Sequence, residues 1–123
     1  MGALPEYLQQ SWPTERQLTR FRLSVPVRIA VSIGMETQAT SFDVSEGGLG
    51  TSAADLLKVG DEVFLELQLP GHDQLLRFKA IARHSDAERL GFEFLTITPE
   101  QRLAIINYGH SLASIKKRPK LLR

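Results

Sequence analysis

The stretch from Leu23 to Ile33 most narrows what this chain can fold into. Leu23, Val25, Val27, Ile29, Val31 and Ile33 alternate with Ser24, Pro26, Arg28, Ala30 and Ser32. Strict period two buries one face and wets the other, which is the mark of a half-buried strand. Pro26 falls on the outward face, where a missing N–H is tolerated at an edge or a bulge. Gly34 ends the run as a turn. Thr37–Val44 reads as a second strand, and Val63, Leu65, Leu67 and Leu69 alternate again as far as the turn signal Pro70-Gly71. Leu76, Phe78, Ala80 and Ala82 make another inward row, Ser85–Glu88 reads as a hairpin tip, and Leu90, Phe92 and Phe94 form the last strand. Short strands with regular turns predict an all-β sandwich or barrel. Between the second and third runs, Gly47, Gly48 and Gly50 require a bend or a close approach, and Asp55–Gly60 reads as a connection.

The two ends lack this period. Residues 1–21, punctuated by Pro5 and Pro13, predict a flexible arm that Trp12 packs onto the barrel. At the other end, Thr98 can cap a helix, Pro99 suits its first position, and Gln101 can reach back to complete a capping box. Leu103, Ile106 and His110 share one stripe of that helix, with Ile105 and Leu112 beside it. The expected division is an arm over 1–21, a barrel over 22–97, a helix over 98–114 and a basic tail over 115–123.

Composition closes off several functions. A chain of 123 residues is one domain's worth. Its net charge of +1 argues against wholesale nucleic-acid binding, which shows as a strongly basic face. Without cysteine there is no disulfide, thiolate metal site or cysteine nucleophile. No apolar run approaches the roughly 18 residues of a membrane helix, and the N-terminus lacks a signal peptide's basic start. The expectation is a cytoplasmic protein without membrane insertion. His72, His84 and His110 fall in separate elements without metal-ligand spacing. Asp43 and Ser45 have no histidine at a recognisable triad position. Gly47-Gly48-Leu49-Gly50 is not followed by the Gly-Lys-Ser/Thr of a P-loop. No enzyme, metal or cofactor is expected.

Two segments carry chemistry. Arg16 and Arg20 are four apart just before the first strand, and Asp43-Val44-Ser45-Glu46-Gly47-Gly48 closes the second. Alone, the first reads as a solvated charge pair and the second as an Asx or serine turn. Their order, the alternating strand between them, and the later strands and helix make the pair informative.

This conjunction, R-x-x-x-R followed by D-x-S-x-x-G, resembles the signature of the PilZ domain family. The alternation after the arginines, Gly91-Phe92-Glu93-Phe94 and the Pro-Glu-Gln helix start extend the resemblance over residues 15–112. It implies a six-stranded antiparallel β-barrel with a C-terminal α-helix, and cyclic di-GMP as ligand. It assigns ligand binding to Arg16, Arg20, Asp43, Ser45 and Gly48, with Glu15 and Gly47 in support. The physics agrees. A guanidinium can donate a bidentate pair to guanine O6 and N7, pair with phosphate, or stack on the purine. An aspartate can accept from guanine N1–H and its exocyclic amine, with a serine hydroxyl beside it on the same side of a strand. Gly48 allows a conformation or an approach that a Cβ obstructs. Glu15 can hold Arg16 or repel the ligand phosphates, so one bound molecule and a stacked pair are both open.

The reading that follows is a bacterial second-messenger receptor whose arm closes over the ligand and changes a surface offered to a downstream protein effector. The chain is then a monomer or a ligand-dependent dimer. Two alternatives belong to other classes. One is a PilZ-like interaction module without ligand binding. The other is a single-stranded nucleic-acid barrel, which needs exposed aromatics in a basic groove, whereas Phe64, Phe78, Phe92 and Phe94 fall mainly in strand segments, where a core role suits most of them better.

Overall fold

The computed structural model describes residues 18–121 except 33 and 56, without the side chains at 32 and 113–121. Residues 1–17 of the expected arm over 1–21, with Trp12, Glu15 and Arg16, lie outside the described residues, as does Ile33.

Among the described residues, seven strands precede one helix. They are β1 (Phe21–Arg22), β2 (Pro26–Ser32), β3 (Met35–Ser45), β4 (Gly48–Ser52), β5 (Glu62–Leu67), β6 (Leu76–Ser85) and β7 (Arg89–Phe94), followed by α1 (Pro99–Leu121). The sheet runs β3-β2-β5-β6-β7-β4, and β4 pairs back onto β3, so six antiparallel strands close a barrel. Closure removes the free edges an open sheet would present. The two-residue β1 is an extra strand beside β3, with Phe21 opposite Val44 and Arg22 opposite Asp43. It is the front of β2's path along β3. Between the two pieces, Leu23 N–H donates to the Phe42 carbonyl and Ser41 N–H to the Val25 carbonyl. The buried Ser41 hydroxyl bridges the break. It donates to the Leu23 carbonyl at 2.6 Å and accepts from Val25 N–H at 2.9 Å.

The alternating runs fill the interior. Val27, Ile29, Leu65, Phe78, Ala80, Leu90 and Phe92 are buried, and Phe78 stacks on Phe94 with ring centroids 4.1 Å apart. Pro26 is exposed at the start of β2, where its missing donor disturbs no ladder. At Pro70-Gly71 the chain makes a type II turn. Gly71 takes φ +83°, and His72 N–H donates to the Leu69 carbonyl.

The capping box at the helix start forms as the sequence predicts. Thr98 Oγ1 accepts from Gln101 N–H at 3.1 Å, and Gln101 Oε1 accepts from Thr98 N–H at 3.0 Å. Gln101 also donates to the Arg77 carbonyl, which fastens the helix to β6.

Two readings of this helix need correction. It runs to Leu121, past the expected end near 114. Its barrel-facing side is Ala104, Ile105, Tyr108 and Gly109, whereas Leu103 is 56% exposed and His110 is exposed. Close approach selects this face by size. A Cβ on Gly109 would lie 2.2 Å from the Phe21 ring.

Candidate functional site

Phe42 decides which side chains β3 presents. The β3–β4 register slips between Ser41 and Asp43, so Phe42 is an extra residue and the alternation changes phase. Ala39 and Ser41 face inward before the slip and Val44 after it. Phe42 and Asp43 therefore both reach the outer surface, the re-aiming that a bulge beside a site provides.

Arg20 enters from the root of the N-terminal segment. Its Nη2 donates to Asp43 Oδ1 at 3.0 Å, and Nη1 lies 3.5 Å from Ser45 Oγ. Asp43 and Ser45 thus serve one guanidinium from one side of the strand, as their spacing predicts. Ser45 is buried and its hydroxyl also accepts from Gly47 N–H at 3.1 Å. The pair remains accessible, with the Arg20 and Asp43 side chains 39% and 33% exposed.

The glycines serve this geometry from behind. A Cβ on Gly48 would stand 2.1 Å from the Phe92 carbonyl oxygen, so the close approach that position requires is to β7. A Cβ on Gly50 would lie 2.6 Å from Asp43 Oδ1. Gly47 lends its N–H to Ser45 and its carbonyl to Phe94 N–H. Glu46, at the same turn, pairs with Arg102 of α1 at 3.3 Å. The structure brings Arg20, Asp43, Ser45, Gly47 and Gly48 together, and Arg16 and Glu15 lie outside the described residues.

A cavity of about 630 Å³ opens beside the Arg20–Asp43 pair. Its wall includes Arg22, Phe42 and Arg89, none of which the sequence reading singled out. Arg22 was within reach of that reading, since it stands two residues after Arg20 in an extended chain. Arg89 carries no such signal, because only the β7–β4–β3 pairing brings it near Asp43. A second cavity, about 460 Å³, lies over β2, β5 and β6 around Phe64. There Arg77 is paired with Glu66 and Lys79 with Glu62, so its positive charges are already matched. The described residues contain no cluster of three metal-ligating side chains, and none of their helices is long and apolar enough to cross a membrane.

A closed six-stranded antiparallel barrel with a C-terminal helix is the fold of PilZ domains, a class of ligand-binding receptor domains. The PilZ domain family model matches residues 14–109, and the chain belongs to that family. No curated protein matches it in sequence. Solved structures with the same fold include the Bacillus subtilis inhibitor of motility MotI/DgrA, with 22% identity and a TM-score of 0.67 over 83% of this chain and 53% of that one. The chain thus spans about half the length of that protein. YcgR from Escherichia coli in complex with c-di-GMP matches over 88% of this chain and 50% of that one, with 19% identity and a TM-score of 0.70. The PilZ domain of CeSA from a cellulose-synthesizing bacterium matches over 77% of this chain and 98% of that one, with 19% identity and a TM-score of 0.61.

Proposed function

We propose that this chain is a cyclic di-GMP receptor that binds the ligand where Arg20 meets Asp43 and Ser45. The convergence of one guanidinium and one carboxylate on an open cavity, with the buried Ser45 hydroxyl behind them, is the observation that carries the reading. In the free protein Asp43 holds Arg20 in place. When ligand enters, the carboxylate accepts from a guanine N1–H and exocyclic amine, and the guanidinium turns to guanine O6 and N7 or to a phosphate. Arg16, four residues before Arg20, supplies a second guanidinium from the N-terminal segment. Cyclic di-GMP bound in the YcgR neighbour supports the assignment through the shared fold.

Signalling follows from the position of Arg20. It adjoins β1, and Phe21 and Arg22 touch α1 through Gly109 and Tyr108. A ligand that draws the N-terminal segment onto the barrel changes the surface beside that helix, where a downstream protein reads it. The likeness to a motility inhibitor supports a protein as the recipient.

A thermal-shift comparison tests the reading. Cyclic di-GMP at about a hundred times its Kd should stabilise the fold by roughly 2.7 kcal/mol, while GTP and cyclic di-AMP at equal concentration leave the melting temperature in place. Equal shifts from all three nucleotides, or none from any, would count against it.

A further inference from the structure

Arg89 belongs to β7 and Phe42 to β3, with β4 between them, yet the Arg89 guanidinium carbon lies 4.6 Å from the Phe42 ring centroid. The crossing is possible because β4 presents small residues there. Arg89 pairs with Ser52, whose hydroxyl is turned to accept from Thr40 N–H. The next row runs from Asp43 through Gly50 to Gly91 with no side chain beyond the carboxylate, which leaves a flat floor beside the arginine. The backbone of Arg89 is itself held. Its N–H donates to Asp86 Oδ1 at 2.9 Å and its carbonyl accepts from Asp86 N–H.

Charge matching separates this arginine from most others. Arg20, Arg28, Arg77, Arg83 and Arg102 each lie within ion-pair distance of a carboxylate. Among the described residues Arg22 and Arg89 have no such partner, and both line the cavity beside Asp43. A cyclic dinucleotide carries two phosphates, and Arg20 with Asp43 and Ser45 engages only one end of it.

We propose that Arg89 is a further ligand-binding residue of this site, donating to a phosphate of the cyclic dinucleotide from the side opposite Arg20. Phe42 is its positioning residue. One face of the guanidinium rests on the ring, and its edge is left free to donate two parallel hydrogen bonds to a phosphate. Arg22 adds a second positive charge to the same wall. The assignment rests on the cyclic di-GMP reading of the cavity and extends it from β3 across β4 to β7.

The test is a set of calorimetric titrations with cyclic di-GMP on wild type, Arg89→Ala, Arg89→Lys, Phe42→Ala, Phe42→Ala/Arg89→Ala and Arg20→Ala. Urea denaturation of each variant verifies that it is folded. Arg89→Ala should weaken binding at least tenfold. Arg89→Lys should recover little of it, because an ammonium lacks the planar fork. Phe42→Ala should cost less than Arg89→Ala, and the double variant should bind no worse than Arg89→Ala. If Arg89→Ala binds within twofold of wild type while Arg20→Ala fails, the inference falls and the receptor reading stands. If losses from Phe42→Ala and Arg89→Ala simply add, Phe42 does not act through Arg89. No binding by folded wild type overturns both.

Discussion

The ring of Phe21 occupies the space that a side chain at Gly109 would need. A Cβ at position 109 would sit 2.2 Å from Phe21 Cζ. From the residue just before Gly109 in α1, the Tyr108 hydroxyl donates to the Arg22 carbonyl at 2.6 Å, and burial raises that phenol's pKa above its ordinary value. The residue after Arg20 is therefore clamped to the helix.

Gly109→Ala is expected to destabilise the fold. Overpacking costs about 1–3 kcal/mol, and removing a helical glycine returns only about 1 kcal/mol. The net loss should reach up to about 2 kcal/mol in urea denaturation, and Phe21→Leu in the same chain should recover part of it.

Ser41→Ala should be costly for a small change. It removes the group that satisfies both the Leu23 carbonyl and the Val25 N–H in the gap between β1 and β2. Each polar group left buried and unsatisfied costs about 1–3 kcal/mol. The expected signature is a lower denaturation midpoint with selectively faster hydrogen exchange at the Val25 amide.

Gly48→Ala separates folding from recognition within one motif. The added Cβ meets the Phe92 carbonyl, which is backbone and cannot step aside as a side chain would. A loss of about 3 kcal/mol is expected, and reduced ligand binding should track the unfolded fraction. Gly34→Ala points into open space and pays only for its φ of +79°, so it should cost clearly less.

Asp86 predicts an acid limb. Bonds from the N–H groups of Glu88 and then Arg89, with His84 beside them, lower its pKa from an ordinary 3.8 to about 2. A depressed carboxylate stabilises the fold above its unfolded pKa and loses that contribution as pH falls through the folded one. Melting temperature should therefore drop between about pH 4 and pH 2, and Asp86→Ala should flatten that interval.

β2, β5, β6 and β7 were legible in the sequence because burial on one face writes period two directly into residue choice, and β3 was legible by its threonine, serine and phenylalanine content. β4 was not legible. Gly48-Leu49-Gly50-Thr51-Ser52 reads as loop because its glycines are chosen for neighbours on β3 and β7, the Asp43 carboxylate and the Phe92 carbonyl. The helix start was legible, since a capping box is local in sequence. Its buried face was not, because contact with Phe21 favours the small Gly109 over the more apolar stripe through Leu103. The site divides the same way. Asp43 and Ser45 stand out by spacing along one strand, whereas the approach of Arg89 to Phe42 depends on a register slip and on two small residues of the strand between them.

The central claim is that Arg20, Asp43 and Ser45 form a guanine-reading site for cyclic di-GMP, and a calorimetric titration of wild type beside Arg20→Ala and Asp43→Ala tests it most directly. The account predicts micromolar or tighter binding by wild type, about −8 kcal/mol or better, and severe weakening in both variants while each remains folded. No saturable heat from wild type up to millimolar ligand, or binding that survives both substitutions, would contradict it.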